Sequence, residues 1–405
     1  MSRRPTPAWA AAAAGLACLL AACAGSPAAT GPGDGGAAAA GSGTLRRPPE
    51  LPDGAEPLIR DGAPPPTIGK DGPPAVDPAA ETELFEHGQG DVADDPAIWR
   101  DDRHPERSLV LGDDKSDPGG VAIYDLGGKI VHFEQTGRIG NIDLRDGYRL
   151  GNRTVVLVGA NDRSGNRIRL WALDPDARSL TSLEAHDLPS IDDNYGFCLG
   201  RGKDGKRLYA FVTQEVSGRL EQYELIDVDG KLDARKVRAL SVGSQAEGCA
   251  VDDATGSLYV AEEDVAIWRY DVDPGTGSDR DRIDKVGDGH LTADIEGLSV
   301  TRGGDGHGVL VASSQGDSTF AVYDLDSHAF RGSFRVHRSG DIDGVSETDG
   351  LAVAAGDFGP DFPNGLLVLH DGENHHGDQD ERVSDFKLVR LDRVVALTPL
   401  GRPSG

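Results

Sequence analysis

Glu247-Gly248-Cys249-Ala250-Val251, Glu296-Gly297-Leu298-Ser299-Val300 and Asp349-Gly350-Leu351-Ala352-Val353 are three copies of one phrase: an acid, a glycine and a short run suited to a β-strand. Tyr195-Gly196-Phe197-Cys198-Leu199 repeats it with tyrosine for the acid, and Asp95-Pro96-Ala97-Ile98-Trp99 repeats it with proline for the glycine. Asn141-Ile142-Asp143-Leu144 is a weaker sixth copy. With Asp95, Asp143, Tyr195, Glu247, Glu296 and Asp349 as anchors, the steps are 48, 52, 52, 49 and 53 residues. Two further β-like runs follow each anchor, as Leu258-Tyr259-Val260 and Ala266 to Tyr270 follow Glu247. Units of this length built from short strands are propeller blades, whereas a sandwich would not repeat internally in this way. The reading is an all-β fold: one six-bladed β-propeller, with mostly four-stranded antiparallel blades, over residues 81–405.

Composition agrees. The chain has 405 residues with 55 Gly and 1 Met, which argues against a helical bundle because glycine weakens helix interiors. It carries 68 Asp+Glu against 41 Lys+Arg, a net charge of −27. Through residue 80 there are six Lys+Arg and seven Asp+Glu, so −26 belongs to residues 81–405. So acidic a surface repels phosphate backbones and excludes nucleic acid as a partner; what it attracts is cations.

The amino terminus reads separately. Arg3 and Arg4 precede an apolar run from Ala8 to Ala22 that ends Leu20-Ala21-Ala22-Cys23. This is the pattern of a secretory signal, too short to span a bilayer permanently. Its ending resembles a bacterial lipoprotein lipobox, which implies acylation of Cys23 and a lipid anchor on the extracytoplasmic side of a bacterial membrane. An ordinary signal peptide, with a secreted or periplasmic product, is the alternative. Residues 1–23 are therefore read as the signal with lipobox and residues 24–80, rich in Gly, Ala and Pro, as a flexible linker. The propeller is expected to be a monomer that meets the membrane only through that anchor.

Cys198 and Cys249 are the cysteines beyond the signal, in a compartment that permits a disulfide. Aligning Gly196 with Gly248 sets Cys249 against Phe197, with Cys198 one residue later. One residue turns a strand side chain to the opposite face, so two buried free thiols are expected.

In an antiparallel blade the end of the second strand meets the beginning of the first. Residues at those two places should share one mouth of the disc. The first group supplies Asp94, Asp95, Asp143, Tyr195, Glu247, Asp294, Glu296, Asp343 and Asp349. The second supplies Asp113, Asp114, Lys115, Asp162, Arg163, Glu215, Glu262, Glu263, Asp264, Asp317, Asp371, Glu373 and Asn374. Two like charges at 4 Å repel by ~4 kcal/mol at an effective dielectric of 20. Such a ring must protonate or bind hard cations, and Ca²⁺ suits all-oxygen ligands at neutral pH; a solvated acidic rim is the alternative. Lys115, Arg163 and Tyr195 in the same crowd suit an anionic oxygen, phosphate above all. Calcium beside bases describes a site for a polyanion, cleaved with metal assistance.

Asp94-Asp95-Pro96-Ala97-Ile98-Trp99, Glu221-Gln222-Tyr223-Glu224-Leu225, Ala261-Glu262-Glu263-Asp264 with Ala266-Ile267-Trp268, Asp294-Ile295-Glu296-Gly297-Leu298, Ala312-Ser313-Ser314-Gln315-Gly316 and Asp371-Gly372-Glu373-Asn374 resemble the bacterial β-propeller phytases, in continuous order from about residue 81 to 395. The resemblance implies calcium-dependent hydrolysis of phytate, or its calcium complex, to lower inositol phosphates and orthophosphate. It implies several calcium ions, some structural and some catalytic, and an attacking water activated by metal in place of a protein nucleophile. By motif, Asp94, Asp95, Glu247, Glu263, Asp294 and Glu296 would hold catalytic calcium, with Asp349 completing the ring. Lys115 and Arg163 would grip the scissile phosphate with Tyr195 as a hydroxyl partner, and Asp343, Asp371 and Asn374 would form a structural calcium region. A calcium-dependent propeller lactonase and a non-catalytic, calcium-stabilised binding propeller are the competing readings. One departure stands out. Where the family tends to carry lysine after the second strand of the third blade, this chain reads Val212-Thr213-Gln214-Glu215-Val216-Ser217-Gly218, and Gln214 is expected to face a neighbouring phosphate.

Overall fold

The computed structural model describes residues 72–86, 90–375 and 383–398. The apolar run from Ala8 to Ala22, the expected lipobox at Cys23 and residues 24–71 of the expected linker lie outside them.

The described chain forms six sheets in sequence order. Blade 1 runs Ala93–Trp99, Leu109–Asp114, Gly120–Tyr124 and Ile130–Gln135 from the centre outward. The inner strands of blades 2 to 6 are Ile139–Leu150, Asn194–Arg201, Cys249–Asp252, Ile295–Arg302 and Leu351–Ala354. Each inner strand touches the next, and that of blade 6 touches that of blade 1, so the ring is closed. Neighbouring blades cover both faces of each sheet. Second strands such as Leu109–Asp114, Ser257–Glu262 and Gly308–Ser314 are therefore buried at every position. Their apolar residues run continuously instead of alternating, as two-sided burial requires. The core is a set of inter-blade layers: Leu157 and Leu170 pack on Phe197, Leu199 and Val212 between blades 2 and 3. Val311 and Phe320 pack on Leu351, Leu367 and Leu369 between blades 5 and 6.

Closure comes from the amino-terminal side. Pro78–Glu81 pairs antiparallel with Val383–Arg390 as the outermost strand of blade 6, and Ala75–Val76 lies parallel against Phe330–Val336 of blade 5. The propeller thus begins before residue 81, where the change of composition placed its start. These strands are short and written in Ala, Pro and Val, so nothing local separates them from the linker; their partners, at the far end of the chain, make them strands.

At the centre the inner strands reach backbone contact. A Cβ on Gly248 would lie 1.9 Å from the Glu296 carbonyl oxygen, and one on Gly196 2.0 Å from that of Glu247. The glycine after each acid exists for this approach. The Gly297 amide donates to Asp349 O at 3.0 Å and the Gly350 amide to Asp94 O at 3.2 Å, tying blades 5, 6 and 1 together.

The cysteines correct the sequence reading. Cys198 and Cys249 form a disulfide, with Cα atoms 5.7 Å apart, inside the usual span. The one-residue offset does turn the two side chains to opposite faces. Cys198 lies in blade 3 and Cys249 in blade 4, however, and adjacent blades meet with opposite faces toward each other. The offset that would separate two strands of one sheet joins two sheets. Replacing both cysteines by serine should lower the unfolding free energy by ~2–4 kcal/mol, given the long loop that the bond closes. Urea unfolding of the oxidised wild type against the double variant measures it; equal midpoints would show that the bond constrains nothing.

Candidate metal and phosphate site

Strand register builds the site. Pro96, Ile142, Phe197, Cys249, Leu298 and Leu351 are the equivalent inner-strand residues, facing Gly112, Ala160, Val212, Val260, Ala312 and Leu369 on the second strands. Two residues earlier in the chain stand Asp94, Gly140, Tyr195, Glu247, Glu296 and Asp349, of which Glu247 and Asp349 lie just before their strands begin. Four of the blades carry an irregularity in the ladder at this point, a device that re-aims side chains at a rim. Three residues beyond each second-strand partner stand Lys115, Arg163, Glu215, Glu263, Gln315 and Gly372. The first five share one anchorage, their amides donating to Val92, Arg138, Asp193, Gln245 and Asp294 carbonyls at 2.8–3.1 Å. The residue just before each of these points the other way, into the blade. Glu262 accepts Trp268 Nε1–H at 2.7 Å, and Asp162 pairs with Arg167 at 2.7 Å. Gln214 belongs to that inward set: it donates to Asp192 O at 3.0 Å and accepts from Ser217 Oγ. It does not face the mouth as expected.

The two rings enclose a cavity of about 280 Å³, into which Asp94, Lys115, Arg163, Tyr195, Glu247, Glu263, Asp294, Glu296 and Asp349 all project. Asp95 is not among them. It takes the glycine position of blade 1, one residue past the ring, and faces the central channel, where Asn141 Nδ2 donates to it. Asp143 is displaced further, three residues past the ring position of its blade. It accepts from Arg145 at 2.8 Å and from the Leu199 amide at 2.9 Å. The true ring position of blade 2 is Gly140, where a Cβ would come within 2.9 Å of Arg163 Cδ. A glycine there makes room for the arginine.

The cavity has two sides. On one, Glu247, Glu263 and Glu296 bring carboxylate oxygens within 4.8 Å of one another. Asp94 Oδ2, Glu247 Oε1, Glu263 Oε1 and Glu296 Oε2 are buried with no hydrogen-bond partner. Burial and the surrounding acids push these carboxyls up. Asp94 rises to about 6, through burial and the charge of Asp349 against the pull of Lys115. Glu263 rises to about 8, through burial and Asp294, and Glu247 and Glu296 rise well above the carboxylate range. Orphaned, crowded carboxylate oxygens fit a hard divalent cation.

On the other side are the bases. Lys115 Nζ lies 2.8 Å from Asp91, 3.2 Å from Asp349 and 3.4 Å from Asp94. Burial opposes its charge, but those carboxylates hold it protonated. Arg163 stacks over the Tyr195 ring at 4.8 Å, while the Tyr195 hydroxyl bonds to Glu247. Asp91, Gln245, Gln315 and His370 are site residues that the sequence reading missed. Gln315 could have been found, since it falls on the repeat position of Lys115. His370 could not: its Nδ1 accepts the Asp349 amide at 2.9 Å, which leaves the proton on Nε2, 3.4 Å from Asp91.

Asp343, Asp371 and Asn374 do converge, but around an ammonium. Lys387 Nζ lies 2.8 Å from Asp343, 3.3 Å from Asp371 and 3.1 Å from Asn374 Oδ1. Asp385 at 3.0 Å and Glu81 at 2.9 Å complete the cage. A buried lysine stands where the sequence reading placed structural calcium.

A model of the phytase family matches residues 70–400. A 3-phytase of Bacillus subtilis (strain 168) is 38% identical over 324 residues, 78% of this chain and 84% of that protein. Among solved structures, a calcium-binding regucalcin from Agrobacterium tumefaciens aligns with 78% of this chain and 97% of its own at 13% identity, TM-score 0.47. A luciferin-regenerating enzyme aligns with 76% and 95% at 14% identity, TM-score 0.46.

Two outcomes follow from the charges. The raised carboxyls bind more protons folded than unfolded, so the metal-free protein loses stability as pH rises from the ordinary carboxylate range through about 6 and 8. Melting temperatures taken in chelator should fall across that interval, and calcium should remove the fall; a flat chelator profile would contradict the charge argument. Lys387→Met strands buried carboxylates and should cost ~3–5 kcal/mol in denaturant unfolding, whereas a near-neutral result would mean that the cage has another counter-ion.

Proposed function

The chain belongs to the phytase family, and on that premise we propose that its acidic cavity holds calcium beside a phosphate of phytate and releases that phosphate as orthophosphate. One observation carries the reading: a single cavity sets unpartnered carboxylates opposite Lys115 and Arg163. Neither side explains the other, since two bases are too few to neutralise the acids. A metal-bridged phosphate ester uses both.

Asp94, Glu247, Glu263 and Glu296 would hold the cations, with Asp294 and Asp349 at the cavity wall. When bound, calcium supplies charge neutralisation, polarisation of the phosphoryl oxygens and a lowered pKa for water. Arg163 offers its planar N–H edge to two phosphoryl oxygens and Lys115 a point charge to another. Tyr195 serves both sides, fixing the guanidinium by its ring and Glu247 by its hydroxyl. Burial and the neighbouring acids raise the Tyr195 pKa, so the hydroxyl stays neutral and able to donate. Among the described residues, no serine, cysteine or histidine lines the cavity, and the proposal assigns the attack to water. Structural calcium at Asp343, Asp371 and Asn374 drops out of this proposal, because Lys387 already gathers them. A lactone, being uncharged, would make no use of Lys115 and Arg163.

The deciding measurement is orthophosphate release from phytate with calcium, after exhaustive chelation, and after calcium is restored. Activity should vanish and return. Glu247→Gln should fold and lose at least about 10–100-fold in activity, the cost of altering a group that merely supports a metal's ligands, and Arg163→Ala should raise KM. Full turnover in chelator, or hydrolysis of a lactone but not of phytate, would overturn the proposal.

A further inference from the structure

Glu215 occupies the ring position of Lys115, Arg163, Glu263 and Gln315, with the same amide anchorage, here to Asp193 O at 3.1 Å. Those four side chains line the cavity and Glu215 does not. Its carboxylate instead lies 3.7 Å from Arg163 Nη2, with the glutamate side chain 49% exposed and the arginine 12%. Arg163 is otherwise fixed by its stem over Gly140 and its guanidinium over Tyr195. Among the described residues Glu215 is the carboxylate that pairs with it. The neighbouring Gln214 is turned away and tied to Asp192 and Ser217, so it neither pairs with Arg163 nor shields it.

We propose that Glu215 competes with phosphate for Arg163, weakening the hold of the site on both the substrate phosphate and the orthophosphate product. The inference rests on the reading of the cavity as a phosphate site. A phosphoryl group that engages the guanidinium edge must displace the carboxylate and then lies within a few ångströms of its charge, where like charges repel. As orthophosphate leaves, Glu215 returns to the arginine. The residue acts through Arg163 and touches no reacting atom.

The test titrates inorganic phosphate calorimetrically into the calcium-loaded protein, beside steady-state phytate hydrolysis. Glu215→Gln should bind phosphate about fivefold more tightly, the upper range for an exposed ion pair, with the change in turnover falling on the KM for phytate. The gain should shrink in 1 M NaCl, where screening is nearly complete, and should vanish when Glu215→Gln is combined with Arg163→Ala. Unchanged or weaker phosphate binding by Glu215→Gln and by Glu215→Ala would overturn the proposal, as would an equal gain without Arg163. Phosphate binding is read without turnover. A wild type that binds phosphate but leaves phytate intact would refute the catalytic reading and still decide the role of Glu215.

Discussion

Backbone contact at the centre of the disc is the constraint on which everything else depends. Inner strands meet closely enough that a Cβ on Gly248 would strike the Glu296 carbonyl, and the contact recurs from blade to blade. It places the residue before each glycine at the same height around one axis. A repeat in sequence thereby becomes a ring in space, and the end of each second strand adds another ring around it. The site is not grafted onto the propeller but is the propeller's own repeat position, filled with different side chains in different blades.

That arrangement creates an electrostatic problem, which the chain answers in two ways. Around Glu247, Glu263 and Glu296 the acids lie buried and crowded with oxygens unpartnered, a state that proton or cation must relieve. Around Asp343, Asp371 and Asp385 a lysine does so from within. The contrast is one of counter-charge: the ammonium of Lys387 lies among one set of acids and, among the described residues, none lies amid the three glutamates. An internal ammonium is permanent and holds the fold; a cluster without one keeps its ligand capacity for something that arrives from solution. Lys115 and Arg163 give the functional cluster its second side, and Gly140 shows how the variation works: the acid is deleted in blade 2 and the arginine stem fills the gap.

The repeat and the acid-glycine phrase were legible in the residues, and with them the six blades and most of the ring: Glu247, Glu296, Asp349 and Tyr195 stand where the repeat set them. The errors have a common cause. Asp95 and Asp143 are acids near the repeat position but off it, and a slip of one or three residues along a strand sends a side chain elsewhere. Gln214 failed for the same reason: its place in the alternation belongs to Glu215, so the side chain turns into the blade.

What the sequence determined by itself is periodic or compositional: an all-β propeller, an acidic mouth, and carboxylates with two bases at fixed steps. These follow from strand length and side-chain type, which are local. What the tertiary structure decided depends on pairs distant in sequence. Pro78–Glu81 is a strand because Val383–Arg390 lies beside it. Cys198 and Cys249 are bonded because adjacent blades present opposite faces. Lys387 and His370 matter because carboxylates from other segments converge on them. No local pattern encodes a partner across a closed ring, and closure of the ring is what brings those partners together.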